Sequence, residues 1–172
     1  MKLNLGCGEK AVPGHVGVDR ARCAAADLRA DIARRLPFGD QAFDAVLLDN
    51  VIEHIDDIPA LMRELWRVTC PGGSVRVITP HFASAASWVD PTHRHHLSWF
   101  SLDYFTAGSG THYTAAGFRM RARRLSFGGL SGNIGRLLFR LSPRRYEARW
   151  CFIFRPSTLV FELERLPDSE SG

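Results

Sequence analysis

Seven histidines and a few strand-ending carboxylates are the residues of this chain equipped for chemistry. The histidines are His15, His54, His81, His93, His95, His96 and His112. Imidazole titrates near neutral pH, so one placed beside a substrate hydroxyl or amine can take its proton. His54 and His93 are the candidate catalytic bases, and His81 closes an apolar run. Asp90-Pro91-Thr92-His93 sets a carboxylate where it can orient one of these rings. His81, His95 and His96 do not follow a recognised zinc spacing, so no metal site is expected. No Ser-His-Asp or Cys-His spacing points to a covalent nucleophile. Cys7, Cys23, Cys70 and Cys151 are scattered without a Cys-X-X-Cys, which fits reduced thiols.

The acids fall at the ends of apolar segments. Asp19 follows Val16-Gly17-Val18, where a carboxylate can accept from two ribose hydroxyls, and its charge disfavours a 2′-phosphate. Asp31 could accept from an adenine amino group while Ile32 packs on the ring. Asp49-Asn50 could meet a charged amino-acid moiety. Gly6-Cys7-Gly8 directly follows the apolar Leu3-Asn4-Leu5, and glycine lets backbone press against a bound nucleotide.

Elements to position these groups can be read in order. Strands are expected at 2–5, 16–19, 42–48 and 74–79, with a short helix or third strand within 20–30. Apolar residues at helical spacing predict a helix over 58–69, capped by Asp56 or Asp57 and stopped by Pro71-Gly72-Gly73. Strands separated by helices imply a parallel sheet, whose ligands bind at the carboxyl ends of the strands. Further on, a short helix is expected at 98–105, a loop at 108–114, a strand at 118–127, a helix at 133–141 and a strand at 158–166. Trp88, Trp99, Phe100, Tyr104 and Phe105 are either acceptor pocket or core, and Arg94 beside them could hold an acidic acceptor.

The chain has 172 residues, 45% hydrophobic and 23% charged, enough for one domain with a full core. Residues 1–166 are read as that domain, with a ligand-binding half at 1–80, an acceptor half at 81–166 and a flexible tail at 167–172. No apolar run approaches a membrane span, and Lys2 leads straight into a strand, so a cytoplasmic protein is expected. The net charge of +4 is uneven: nine arginines lie between Arg119 and Arg149 against the single acid Glu147. That stretch is a solvated face, or a patch for anionic lipid, nucleic acid or a phosphorylated ligand.

Taken together, Leu3 to Gly8, Gly17-Val18-Asp19, Asp31 ahead of Leu36-Pro37-Phe38, Phe43 to Val46 leading to Val51-Ile52-Glu53-His54-Ile55, and Pro71-Gly72-Gly73-Ser74 resemble the class I S-adenosylmethionine-dependent methyltransferases. The short span from Gly8 to Gly17 and the Asp90-Pro91-Thr92-His93 stretch resemble a branch with a reduced first helix. The resemblance implies a Rossmann-like doubly wound α/β sheet of about seven strands, mostly parallel with a reversed last strand. It implies S-adenosylmethionine as cofactor, bound by Asn4, Gly6, Cys7, Gly8, Asp19, Asp31, Ile32, Asp49 and Asn50. It places His54 near the transferred methyl. One departure is Asn4, where the family often has an acid; Asn4 is therefore expected to limit donor affinity.

The expected activity is methyl transfer to oxygen or nitrogen of a small-molecule, glycan or lipid-type acceptor. A non-catalytic binding or regulatory protein of the same fold is the alternative. An NAD-linked oxidoreductase ranks lower, since the third fingerprint glycine and a Tyr-X-X-X-Lys pair are missing. Nucleic-acid methylation also ranks low, and peripheral membrane contact through the arginine stretch stays open.

Overall fold

The structure, a computed structural model, describes residues 1–108, 117–129 and 131–167. Seven strands form one sheet: β1 (Lys2–Leu5), β2 (His15–Asp19), β3 (Leu28–Arg29), β4 (Phe43–Asp49), β5 (Thr69–Pro80), β6 (Phe118–Phe127) and β7 (Pro156–Arg165). Their order across the sheet is β3-β2-β1-β4-β5-β7-β6. The first five run parallel, while β7 lies antiparallel to both β5 and β6. This is the Rossmann-like α/β sheet with a reversed last strand that the sequence led us to expect.

Leu3, Leu5, Val46, Leu48, Val75 and Val77 in the central strands are buried, as suits strands covered on both faces. Helix α1 (Ile58–Val68) adds Leu61, Met62, Leu65 and Val68 from one face. The Asp57 carboxylate accepts from Ala60 N–H at 2.8 Å, which starts the helix. Its end differs from expectation. The chain turns extended at Thr69, and β5 begins there rather than at Ser74. Thr69 O–H donates to Leu65 C=O at 2.6 Å and so satisfies a terminal carbonyl. Pro71-Gly72-Gly73 is therefore a kink inside the strand, with Gly72 at φ +76° and a register shift against β4.

Arg67, near the end of α1, holds the Leu36-Pro37-Phe38 turn. Its guanidinium donates to Leu36 and Phe38 carbonyls and to Glu64 and Asp40. Buried Arg165 of β7 stacks on Trp66 of α1 at 4.0 Å.

The connection from β1 to β2 is a loop without helix, as expected from its length. The second half contains a one-turn helix α2 (Ala86–Val89), a 3₁₀ segment Ser101–Phe105, and two helices, α3 (Ser131–Leu141) and α4 (Pro143–Arg149). Helix α4 was not expected. It is only seven residues long and rich in arginine, with no apolar repeat to betray it. Its start is nonetheless written in the sequence: Ser142 accepts from Arg145 N–H, and Pro143 occupies the first turn. The four cysteines are free. The expected loop at 108–114 and tail at 167–172 lie largely outside the described residues. No helix among the described residues is long and apolar enough to cross a membrane.

Candidate active site

At the carboxyl end of β1 the chain takes two left-handed steps, Gly6 at φ +65° and Gly8 at φ +50°. Gly6 and Cys7 N–H both donate to Val18 C=O, at 2.8 and 3.2 Å, which folds the turn onto β2. A Cβ at Gly6 would overlap Val51 Cγ2, whereas one at Gly8 would meet nothing within 4 Å. The first glycine thus serves packing, and the second opens onto empty space.

That space is a cavity of 290 Å³ lined by Asn4, Gly6, Cys7, Gly8, Asp49 and Asn50, all expected at the site. Glu9, Lys10, Val12 and Leu47 also line it and were not expected. Lys10 Nζ lies 3.5 Å from Asp49 Oδ2. Lysine is nearly absent from this chain, only Lys2 and Lys10 occurring, and that rarity was the available signal. Asn50 takes φ +55°, a conformation asparagine tolerates, and its amide donates to Asp49 Oδ1 at 2.8 Å.

Asp19 joins this loop from β2. Its Oδ2 accepts from Gly8 N–H at 3.0 Å and its Oδ1 from Ala21 N–H at 2.9 Å, leaving each oxygen a second lone pair. Buried Asn4 donates its amide to Lys10 C=O at 3.2 Å. A carboxylate could not make that bond, so Asn4 has a use in the loop that an acid would forfeit. Asp27 accepts from Gly17 N–H at 2.8 Å and so braces β2. Asp31 accepts from Ala33 N–H at 3.0 Å and pairs with Arg34, while Ile32 is buried. Neither Asp31 nor Ile32 lines the 290 Å³ cavity.

Beyond Val51 a 3₁₀ turn, Ile52–His54, carries Glu53 and His54. Glu53 is fully buried; its Oε2 accepts from Thr79 O–H at 3.0 Å, and Oε1 has no hydrogen-bond partner among the described residues. Burial raises its pKa, against smaller lowering effects from hydrogen bonds and from His54 and His93. The rings of His54 and His93 meet edge to face with centroids 4.7 Å apart.

Their partners fix the protons. Thr92 O–H donates to Asp90 at 2.7 Å, so its oxygen can only accept from His54 Nδ1 at 3.0 Å. His93 Nδ1 lies 2.9 Å from Ser87 C=O, which only accepts. Both rings are therefore protonated at Nδ1 and carry their lone pair on Nε2. Asp90 does orient an imidazole, through Thr92.

His81 is differently used. Ala83 N–H donates to its Nδ1 at 3.0 Å, and its Nε2–H donates to Glu147 at 2.9 Å, so neither nitrogen is available. Glu147 also accepts from Trp99 N–H at 2.7 Å and thereby ties α4 to the end of β5. The single acid in the arginine-rich stretch was the signal for this bond. His95 and His96 turn elsewhere, His95 to Asp56 C=O and His96 to Ser87 with Trp88 stacked on it at 3.6 Å. The expected aromatic pocket is divided in the same way. Trp99 packs on Phe139, Phe100 lies against Arg123 and Arg144, and Tyr104 and Phe105 line a 440 Å³ cleft with Ile58 and His95. Arg94 pairs with Asp56 at 2.8 Å.

Residues 11–77 match a family model described as a methyltransferase domain. A structure described as a SAM-dependent methyltransferase from Archaeoglobus fulgidus superposes with a TM-score of 0.61 at 18% identity, over 95% of this chain and 85% of that one. The chain has the methyltransferase fold, and residues 11–77 of it match the methyltransferase domain. The phosphoethanolamine N-methyltransferase 2 of Haemonchus contortus, in complex with S-adenosyl-L-methionine, shares the methyltransferase fold at a TM-score of 0.60 and 14% identity, over 96% of this chain and 48% of that one.

Curated relatives match over shorter stretches. A malonyl-[acyl-carrier protein] O-methyltransferase of Halorhodospira halophila is 40% identical over 60 residues, 35% of this chain and 19% of the relative. A demethylmenaquinone methyltransferase of Mycolicibacterium paratuberculosis is 33% identical over 100 residues, 49% of this chain and 43% of the relative. The chain thus spans less than half the length of these curated methyltransferases.

S-adenosylmethionine is the cofactor of methyltransferases of this fold, one of them described in complex with it, and the Gly6–Gly8 cavity fits it on two counts. Its amino-acid end is a zwitterion, needing an anion and a cation together, and Asp49 and Lys10 provide both. Open space at Gly8 leaves the backbone free to approach a ligand.

Proposed function

We propose that this methyltransferase-fold chain transfers the methyl group of S-adenosylmethionine to oxygen or nitrogen of a small-molecule acceptor, of the glycan or lipid type, in the cytoplasm. The observation that carries the reading is the Gly6–Gly8 cavity, bounded by the Lys10–Asp49 pair; His54 follows four residues after Asn50 in the chain, with His93 against it. S-adenosylmethionine bound there would supply an already activated methyl group. The chain has then to hold donor and acceptor in line and accept a proton where the acceptor must lose one.

Gly8 gives close backbone approach while Gly6 seats the turn against Val51, and Asp19 receives the ribose hydroxyls on its unused lone pairs. Asp31 with Ile32 meets the adenine. Asp49, Asn50 and Lys10 hold the amino-acid end. His54 and His93 carry the Nε2 lone pairs that a base needs. Relatives named for malonyl-acyl-carrier and demethylmenaquinone acceptors support a small-molecule substrate. Residues 1–166 act as one unit, its donor half at 1–80 and its acceptor half at 81–166.

Calorimetry with S-adenosylhomocysteine tests the donor site. Asp19→Ala removes both the ribose acceptor and the Gly8 bond, and affinity is expected to fall at least about tenfold, the value of one charged hydrogen bond. No affinity in the folded wild-type protein overturns the proposal. A labelled-methyl screen over hydroxylated and amine acceptors then decides between catalysis and a binding role.

A lipid-type acceptor is favoured by the surface of α3 and α4. Ile134, Leu137, Leu141, Phe152 and Ile153 are exposed there, among Arg136, Arg140, Arg144, Arg145, Arg149 and Arg155. Apolar side chains rimmed by guanidinium groups suit the interface of an anionic bilayer. Through Glu147 and His81 this hairpin is fixed to the carboxyl end of β5, the end that carries the acceptor-side histidines. Cosedimentation with phosphatidylglycerol vesicles is expected, weaker with phosphatidylcholine and lost in Leu137→Asp/Ile153→Asp. Equal binding to both vesicle types would remove the electrostatic part of this reading.

A further inference from the structure

We infer that Glu53, His54 and His93 form a binding site for a borderline divalent metal ion such as Zn²⁺ or Co²⁺. One ligand atom from each residue lies within 4.8 Å of those of the other two. Across a tetrahedral zinc shell such atoms are about 3.3 Å apart, so small side-chain rotations close the set. Two imidazoles and one carboxylate suit this class of ion better than the hard cations Mg²⁺ or Ca²⁺.

Proximity is not the main argument. Glu53 is fully buried, and its Oε1 has no partner among the described residues. An unpaired carboxylate oxygen in such a place is costly, and a cation removes the cost. The second argument is the state of the imidazoles. A metal-binding histidine typically donates its other ring N–H to a carbonyl or a carboxylate, which fixes the tautomer. His93 donates to Ser87 C=O, and His54 donates to Thr92, which is itself bonded to Asp90. Both rings are thus set, independently, to offer Nε2. Nearby Arg94 is drawn off by Asp56 at 2.8 Å, and its backbone N–H, not its guanidinium, meets Glu53 C=O.

Three protein ligands leave room in the shell for water or an acceptor oxygen, whose pKa a bound cation lowers. That use rests on the proposed methyl transfer; the binding itself does not. In the metal-loaded protein His54 and His93 are ligands, and the acceptor's proton passes to solvent. In the metal-free protein they remain bases.

A second cluster, Cys7, Asp19 and Cys23, offers an alternative for zinc. There burial, with Cys23 and Asp19 beside it, pushes the Cys7 thiol up to about 11, which opposes the thiolate a metal needs.

The test uses the full chain, stripped with a chelator. Co²⁺ is titrated while visible absorption is followed, and Zn²⁺ is titrated by calorimetry, both without methyl donor. One ion per chain is expected. Glu53→Gln and His93→Ala should each lose it, and Thr92→Val should weaken it by about tenfold through His54. Cys23→Ser should leave it unchanged. If His93→Ala does not melt cooperatively, His54→Gln serves in its place. No binding, or binding untouched by these changes, or binding lost in Cys23→Ser overturns the inference. S-adenosylhomocysteine affinity measured in chelator reports separately on the methyltransferase reading, so either can fail without the other.

Discussion

Gly6→Ala is expected to abolish donor binding and to lower stability together. At φ +65° an alanine costs about 1–2 kcal/mol, because its Cβ crowds the following carbonyl. The same Cβ overlaps Val51 Cγ2, in the turn that leads to His54, and overpacking of that kind costs about 1–3 kcal/mol more. The chain can respond only by moving the Gly6–Gly8 loop or the Val51 turn, and both border the cavity. Gly8→Ala separates the two effects. Nothing stands near its Cβ, so only the cost of φ +50° remains, yet S-adenosylhomocysteine affinity should still fall because the new methyl enters the donor's space. Gly6→Ala with Val51→Ala should recover part of the stability, since the overlap is gone and the dihedral cost is not. Thermal melts paired with calorimetry read all three. A Gly6→Ala protein as stable as wild type would show that the loop is looser than its bonds to Val18 indicate.

Arg67→Ala is the largest expected loss of stability away from the site, about 3 kcal/mol in the manner of a broken buried ion pair. The change strands the Leu36 and Phe38 carbonyls and leaves Glu64, itself little exposed, without its cation. Burial alone would raise the Glu64 pKa, but the hydrogen bonds and charge of Arg67 and the Leu36 N–H outweigh it and hold the carboxyl below its usual value. A lowered carboxyl pKa stabilises the folded state above the unfolded pKa, and that contribution is lost as pH falls through the folded one. Wild-type stability should therefore fall as the pH is taken below about 4.5, the ordinary glutamate value. The part due to Glu64 should be missing in Arg67→Ala. Denaturant midpoints across an acid pH series measure this, and parallel curves for the two proteins would rule the pair out as its source.

The first 80 residues were legible because their signals are local. A strand, a glycine turn and a terminal acid sit within a few residues of each other, and each element can be read from neighbouring positions. Boundaries failed where tertiary contacts decided them. Thr69 begins β5 five residues early because its hydroxyl finishes α1 while its backbone already pairs with Phe43. At Asn4 the sequence shows a neutral residue but cannot show the Lys10 carbonyl folded back onto it. The second half hides its logic in contacts of long range. His81 and Glu147 are 66 positions apart, and His54 and Thr92 are 38 apart. Glu53 read as one more polar residue in a turn; nothing local announces that Thr79 and the 90–95 segment close over it.

The placing of β7 between β5 and β6 has a consequence for how the protein is made. The strand synthesised last of the seven fills an interior slot next to the edge, pairing from Ser74 to Pro80 on one side and from Phe118 to Phe127 on the other. Until it leaves the ribosome, β5 is a bare edge and β6 has no neighbour in the sheet, and exposed edges invite pairing between nascent chains. A chain stalled or cut just before Pro156 should therefore aggregate rather than persist as a partial domain. Helices α3 and α4 emerge first, with β6 still waiting, and the sheet is sealed in a single late step.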